Sequence, residues 1–199
     1  CKKKKIEFQS TPFDVDSLKI LEKLGVNTYK IASCDITNFL LLEKIAKTKK
    51  PIFLSTGAAN INEIKDAVKL ISKYNKKIVI MHCILCYPTK MQDANLKSIT
   101  LLKKKFPKIP IGFSDHTLGT LAPTIASSLG ASVIEKHFTI NKKLKKSADH
   151  WLSVDEKELS QIAVNIKLSN LSLGKEVKKT FSCEGITKKN ARRSLVANQ

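Results

Sequence analysis

Six short apolar runs punctuate this chain at intervals of about two dozen residues: Ile6–Thr11, Thr28–Ser33, Ile52–Gly57, Ile78–Cys83, Ile111–His116 and Val133–Thr139. Each has the length of a strand, is rich in Ile, Val, Phe or Thr, and ends in polar or small residues. Between them lie segments with helical periodicity. Val15–Leu24 sets Leu18, Leu21 and Leu24 on one stripe, and Gly25 can stop it. Ile61–Tyr74 repeats Ile61, Ile64, Val68 and Ile71, with Asn60 as N-cap. Asn95–Phe106, Leu118–Leu129 and Asp155–Leu168 read the same way; Gly130 can cap the fourth of these five, and Asp155 with Glu158 has capping-box spacing.

A strand–helix alternation of this kind predicts a parallel sheet with helical crossovers, either doubly wound or closed as a barrel. Polar chemistry follows every run rather than one switch point, which favours the (β/α)8 TIM barrel. About six of its eight βα units are expected here, in residues 1–172. An upstream segment would supply the other two, since the chain starts at Cys1 and not at Met. Residues 173–199 are polar and basic and read as a linker into a further domain.

Composition narrows the function. The net charge of +19 comes almost entirely from lysine, with Arg192 and Arg193 the only arginines. Nucleic-acid surfaces draw on arginine for bidentate contacts, so the lysines are read as a solvated surface and no nucleic-acid partner is expected. No apolar run approaches the ~20 residues of a membrane span, and no secretory signal opens the chain. No membrane partner and a cytoplasmic location are the expectation. Five scattered cysteines make no disulfide framework. Cys83 and Cys86 form a C-x-x-C that ends an apolar run instead of opening a helix, and are read as plain thiols.

Active sites of β/α barrels sit where strands end, and residues two apart share a strand face. Ser114 and His116 share a face, as do Glu135 and His137, on consecutive strands. Two imidazoles and a carboxylate on one rim are half a shell for a divalent metal; the other reading is that each histidine caps a backbone carbonyl. Ser10, Thr11, Ser33, Ser55, Thr56 and Ser114 place hydroxyls at successive strand ends. Lys30 lies inside a run, where a lysine needs an anionic partner. These residues suit a phosphate or carboxylate, although helix capping accounts for many of the hydroxyls. Tyr87-Pro88-Thr89 forms a turn after His82, and Asp149-His150 lies in a polar loop beside Trp151.

Six segments together resemble the sialic acid synthase family. They are Ser10–Phe13 (STPF), Tyr29–Ser33 (YKIAS) running on to Asp35–Asn38 (DITN), Leu54–Gly57 (LSTG), His82-Cys83 with Tyr87–Thr89 (YPT), Gly112–Thr117 (GFSDHT) and Ile134–Thr139 (IEKHFT). The resemblance covers nearly the whole chain. It implies a β/α barrel followed by a small antifreeze-like (SAF) domain, assembled as a domain-swapped homodimer. The implied reaction joins phosphoenolpyruvate to N-acetylmannosamine or a related N-acetylated amino sugar and releases phosphate. His116 and His137 match the metal ligands, usually for manganese, with magnesium or cobalt as substitutes. Lys30, Thr11, Ser33, Ser55 and Ser114 match positions that hold the phosphate and carboxylate; Glu135, Asp35, Tyr87 and Asp149 match polar positions around the two substrates. Glu135 or Asp149 is the expected proton carrier.

The chain departs from the family pattern at Leu85, where many members carry Asn or Ser. It also lacks the family's first two strands and its antifreeze-like domain, of which Arg192-Arg193-Ser194 reads as the start. The chain alone is therefore expected to be inactive or unstable. Three other readings compete: an aldolase forming a Schiff base on Lys30, a nucleic-acid binder, and a non-catalytic family member.

Overall fold

A computed structural model describes residues 1–145 and 149–193 of the chain. Five strands, β1 (Tyr29–Ile31), β2 (Ile52–Ser55), β3 (Ile78–Cys83), β4 (Ile111–Asp115) and β5 (Val133–Lys136), lie in chain order in one sheet. Every neighbouring pair is parallel. The crossovers are α2 (Phe39–Lys47), α3 (Ile61–Ser72), α4 (Lys97–Lys105) and α5 (Leu121–Ser128), with α1 (Val15–Lys23) before the sheet and α6 (Glu156–Leu173) after it.

The two faces of the sheet differ sharply. Tyr29, Ile31, Ile52, Leu54 and Ile80 are all 0% exposed and join one core with Leu42, Ile45, Ala67, Ile71, Ile99 and Ala126 of the helices. On the other face Lys30, Phe53, Val79, Val133 and Glu135 are only half-buried, although Ser55, Met81, Cys83 and Ser114 toward the strand ends and centre are buried. A doubly wound sheet is covered on both faces; here helices cover one face and leave a hollow on the other. That is the wall of a β/α barrel.

The anticipated helix signals operate. Asn60 accepts from the Asn62 and Glu63 backbone N–H groups while Glu63 returns to the Asn60 N–H, and Asp155 with Glu158 does the same. Asp14 and Ser17 add a third capping box; the Ser17 bonds hold the Asp14 carboxyl below its ordinary range. Gly25 and Gly130 stop their helices at φ +70° and +96°.

Two expectations need correcting. The first run, Ile6–Thr11, is not a strand, so the sheet has five strands and not six: only Ser10 forms a bridge, with Tyr29. A strand needs a paired backbone; this run gains one bridge before Pro12, which has no N–H to give. Ile6 and Phe8 are left 65% and 49% exposed. The second correction is α2, which the helix list above omits. Its run Phe39–Leu42 is continuously apolar and masks the helical period, although Asn38 caps it by accepting from Leu41 N–H.

The expected linker contains one short exposed helix, α7 (Gly185–Ala191). Ser194, read as the start of a further domain together with Arg192 and Arg193, lies outside the described residues. No helix among the described residues is long and apolar enough to cross a membrane.

His82, on the helix side of β3, is 5% exposed, stacks on Phe113 and bonds the Ala94 carbonyl through Nε2. Burial holds its pKa below the ordinary 6.5. The folded state therefore binds a proton less readily than the unfolded chain. Its contribution is fully present above about pH 6.5 and is lost as pH falls through the lower folded value. Urea midpoints at pH 7.5 and 5.5 should show a drop on acidification that shrinks in His82→Gln; equal drops in both proteins would remove His82 as the cause.

Candidate active site

The register brings the strand ends together on the hollow face. Ser114 pairs with Glu135 and with Cys83 across the sheet. Glu135 Oε1 accepts two hydrogen bonds, from Ser114 Oγ at 2.7 Å and from Lys30 Nζ at 2.8 Å. The anionic partner that Lys30 requires is thus the chain's own Glu135, reached across the hollow from β1 to β5. The lysine side chain is 13% exposed and the glutamate 41%, so this charge pair opens toward solvent.

One residue beyond the strands stand the two histidines. The His116 and His137 rings lie 5.4 Å apart, and Tyr87 packs on both, 4.0 Å from His116 and 5.7 Å from His137. His116 Nδ1 is 2.8 Å from the Ile84 carbonyl. A carbonyl can only accept, so Nδ1 carries the proton and Nε2 keeps a free lone pair. His137 Nδ1 lies 3.8 Å from Asp149 Oδ2, an ion-pair distance rather than a hydrogen bond. Burial, reinforced by His137, pushes the His116 pKa down, against the Ile84 bond. Burial also pushes the Cys83 thiol and the Tyr87 phenol up. At neutral pH the cluster is a neutral imidazole, a thiol and a phenol. Neutral imidazole is the form that binds metal, and two such nitrogens can contribute to a divalent-cation site whose remaining ligands are oxygens. Among the described residues no group of three His, Cys, Asp or Glu gathers around a common point; water or substrate would complete the coordination.

The remaining expected residues divide. Ser33 Oγ accepts from the Gly57 N–H at 2.9 Å and is buried beside Cys83. Ser55 Oγ is buried without a hydrogen-bond partner, a polar group left for something else to satisfy. Thr11 follows the Ser10–Tyr29 bridge and is half-buried. Asp35 closes the turn after β1 and accepts a hydrogen bond from Asn38 Nδ2 at 3.2 Å, within its own loop. Leu85 is 46% exposed and crowds Gly57, where a Cβ would come within 3.1 Å of it and 2.8 Å of Ser33 Oγ. Only glycine lets these loops meet.

One pair was not anticipated as functional. Asp115 and Lys136 point to the helix side of β4 and β5, with side chains 0% and 4% exposed and Nζ–Oδ2 at 2.7 Å. Alternation was the available signal: each stands next to a histidine of the opposite face.

A model of the NeuB family matches residues 1–178. The chain belongs to the NeuB family. It is 47% identical over 195 residues to an uncharacterized protein of Methanocaldococcus jannaschii, covering 98% of this chain and 57% of that one. It is 41% identical over 201 residues to the N,N'-diacetyllegionaminic acid synthase of Campylobacter jejuni, covering all of this chain and 60% of that enzyme. The crystal structure of an N-acetylneuraminic acid (sialic acid) synthetase from Leptospira borgpetersenii in complex with citrate superposes with a TM-score of 0.87 at 38% identity, over 95% of this chain and 66% of that one. This NeuB chain thus spans somewhat over half the length of the curated relatives it matches. The barrel wall described above is thus shared with relatives named as legionaminic acid and sialic acid synthases.

Proposed function

We propose that this chain supplies the substrate-binding wall of a synthase that condenses phosphoenolpyruvate and water with an N-acetylated amino sugar, giving a nonulosonic acid and phosphate. The observation that carries the reading is the Lys30–Glu135–Ser114 network beside the His116–His137 pair on one hollow face. Lys30, Ser33, Ser55 and Ser114 provide a cation and hydroxyls for phosphate and carboxylate oxygens. Thr11 would extend that set from the neighbouring bridge. His116 and His137 would hold a divalent metal, manganese in the first instance, through Nε2 atoms. Such a metal supplies Lewis-acid polarisation of the sugar aldehyde, the carbon attacked by C3 of phosphoenolpyruvate. Glu135 accepts hydrogen bonds from Lys30 and Ser114 and would exchange a proton with substrate; Tyr87 and Asp149 flank the histidines where the sugar would lie. Asp35 would join them from the loop after β1. Lys30 is engaged by the Glu135 carboxylate, an arrangement that favours anion binding over Schiff-base attack. We place the complete enzyme in the cytoplasm, as a domain-swapped homodimer whose further domain follows residues 173–199.

The test uses the reading frame extended at both ends. Phosphate release from phosphoenolpyruvate is measured with N-acetylmannosamine and with the bacillosamine-derived sugars that lead to legionaminic and pseudaminic acids, with and without manganese. Release that needs both metal and one of these sugars is expected. A pure protein that releases no phosphate with any of them would leave a non-catalytic family member.

A further inference from the structure

The β4–β5 ladder ends at the pair Asp115–Lys136. His116 and His137 are the next residues, so no ladder bond between the two strands fixes their separation. Each is held on its outer flank instead. The His116 carbonyl accepts from Thr89 N–H at 2.9 Å, and the His137 carbonyl from Val154 N–H at 2.9 Å. These bonds tie each histidine to a different loop and would let the two drift apart.

What joins them lies behind. Asp115 Oδ2 accepts from Lys136 Nζ at 2.7 Å, and Asp115 Oδ1 accepts from Thr117 N–H at 2.7 Å. Lys136 Nζ also donates to the Thr117 carbonyl. The lysine thus grips β4 on both sides of His116 from a point one residue before His137. Thr117 in turn bridges Thr89, in the loop that carries Tyr87. One buried ammonium gathers the three ring-bearing segments.

We infer that Asp115 and Lys136 are positioning residues whose ion pair, on the helix side of the sheet, sets the spacing of His116 and His137 on the hollow side. The inference rests on the reading of those histidines as the metal-holding pair, and deepens it. A charge pair suits the task because its hydrogen bonds are directional and short, which apolar packing is not.

Either single substitution strands a buried charge and endangers the fold. The double variant D115N/K136M removes both charges, keeps an acceptor for Thr117 N–H, and should fold, since a buried pair can be replaced by neutral groups of similar size at little cost. Two quantities are measured on folded protein well below its melting temperature. One is the nuclear Overhauser contact between the His116 and His137 rings without metal; the other is the calorimetric Kd for Mn2+. The contact should weaken or vanish, and the Kd should rise about 10–100-fold, as when a ligand loses its support. A double variant that keeps the wild-type ring contact overturns the inference, whatever its metal binding. A lost contact in a chain whose wild type binds no Mn2+ supports the positioning role and instead removes the metal reading.

Discussion

Lys136→Met alone is expected to lower the unfolding free energy by about 3–5 kcal/mol, read from urea denaturation at neutral pH. The Asp115 carboxylate would keep the Thr117 N–H but lose the ammonium, in a place with 0% exposure. Water cannot reach it, so the full desolvation penalty appears. Domains of this size have about 5–15 kcal/mol in total, and the variant would sit near the edge of folding. The double variant should recover most of the loss, because no charge is stranded. A single variant within about 1 kcal/mol of wild type would mean that Asp115 finds another partner. Lys30–Glu135 should behave differently as a stability element. Glu135 is 41% exposed, solvent screens the pair, and little stability rests on it.

Lys30→Met should therefore act on chemistry. In the completed enzyme, kcat/KM for phosphoenolpyruvate is expected to fall by about 10²–10³, the usual loss when one strong charge-stabilising donor is removed. The urea midpoint should barely move. Two effects combine: the substrate loses its cation, and Glu135 keeps only Ser114 to orient it. Lys30→Arg should recover little, since a planar fork cannot replace a point donor in this position. Activity within about threefold of wild type in Lys30→Met would exclude the lysine from the substrate site.

Much of this arrangement could be read from the residues alone. Two-residue alternation placed Ser114 with His116 and Glu135 with His137, and consecutive strands in parallel register made them neighbours. Lysine inside an apolar run announced an anionic partner, though not that the partner would be Glu135. Three things were hidden. The run Ile6–Thr11 fails as a strand for want of pairing, which is non-local and leaves no mark in composition. Helix α2 hides behind Phe39–Leu42, an unbroken apolar run that obscures the face carried on by Ile45 and Ala46. The Asp115–Lys136 pair lies within segments whose histidines draw attention to the opposite face, and its burial follows from tertiary packing alone.

That sheet also divides the chain's freedom to change. Substitutions on the half-buried hollow face, such as at Phe53 or Val79, leave the helix-side packing untouched. Under the proposed function, a lineage could thereby vary its substrate one residue at a time. Positions 115 and 136 permit no such gradual path: their first step in either order passes through a chain that scarcely folds, so divergence there would need both changes at once.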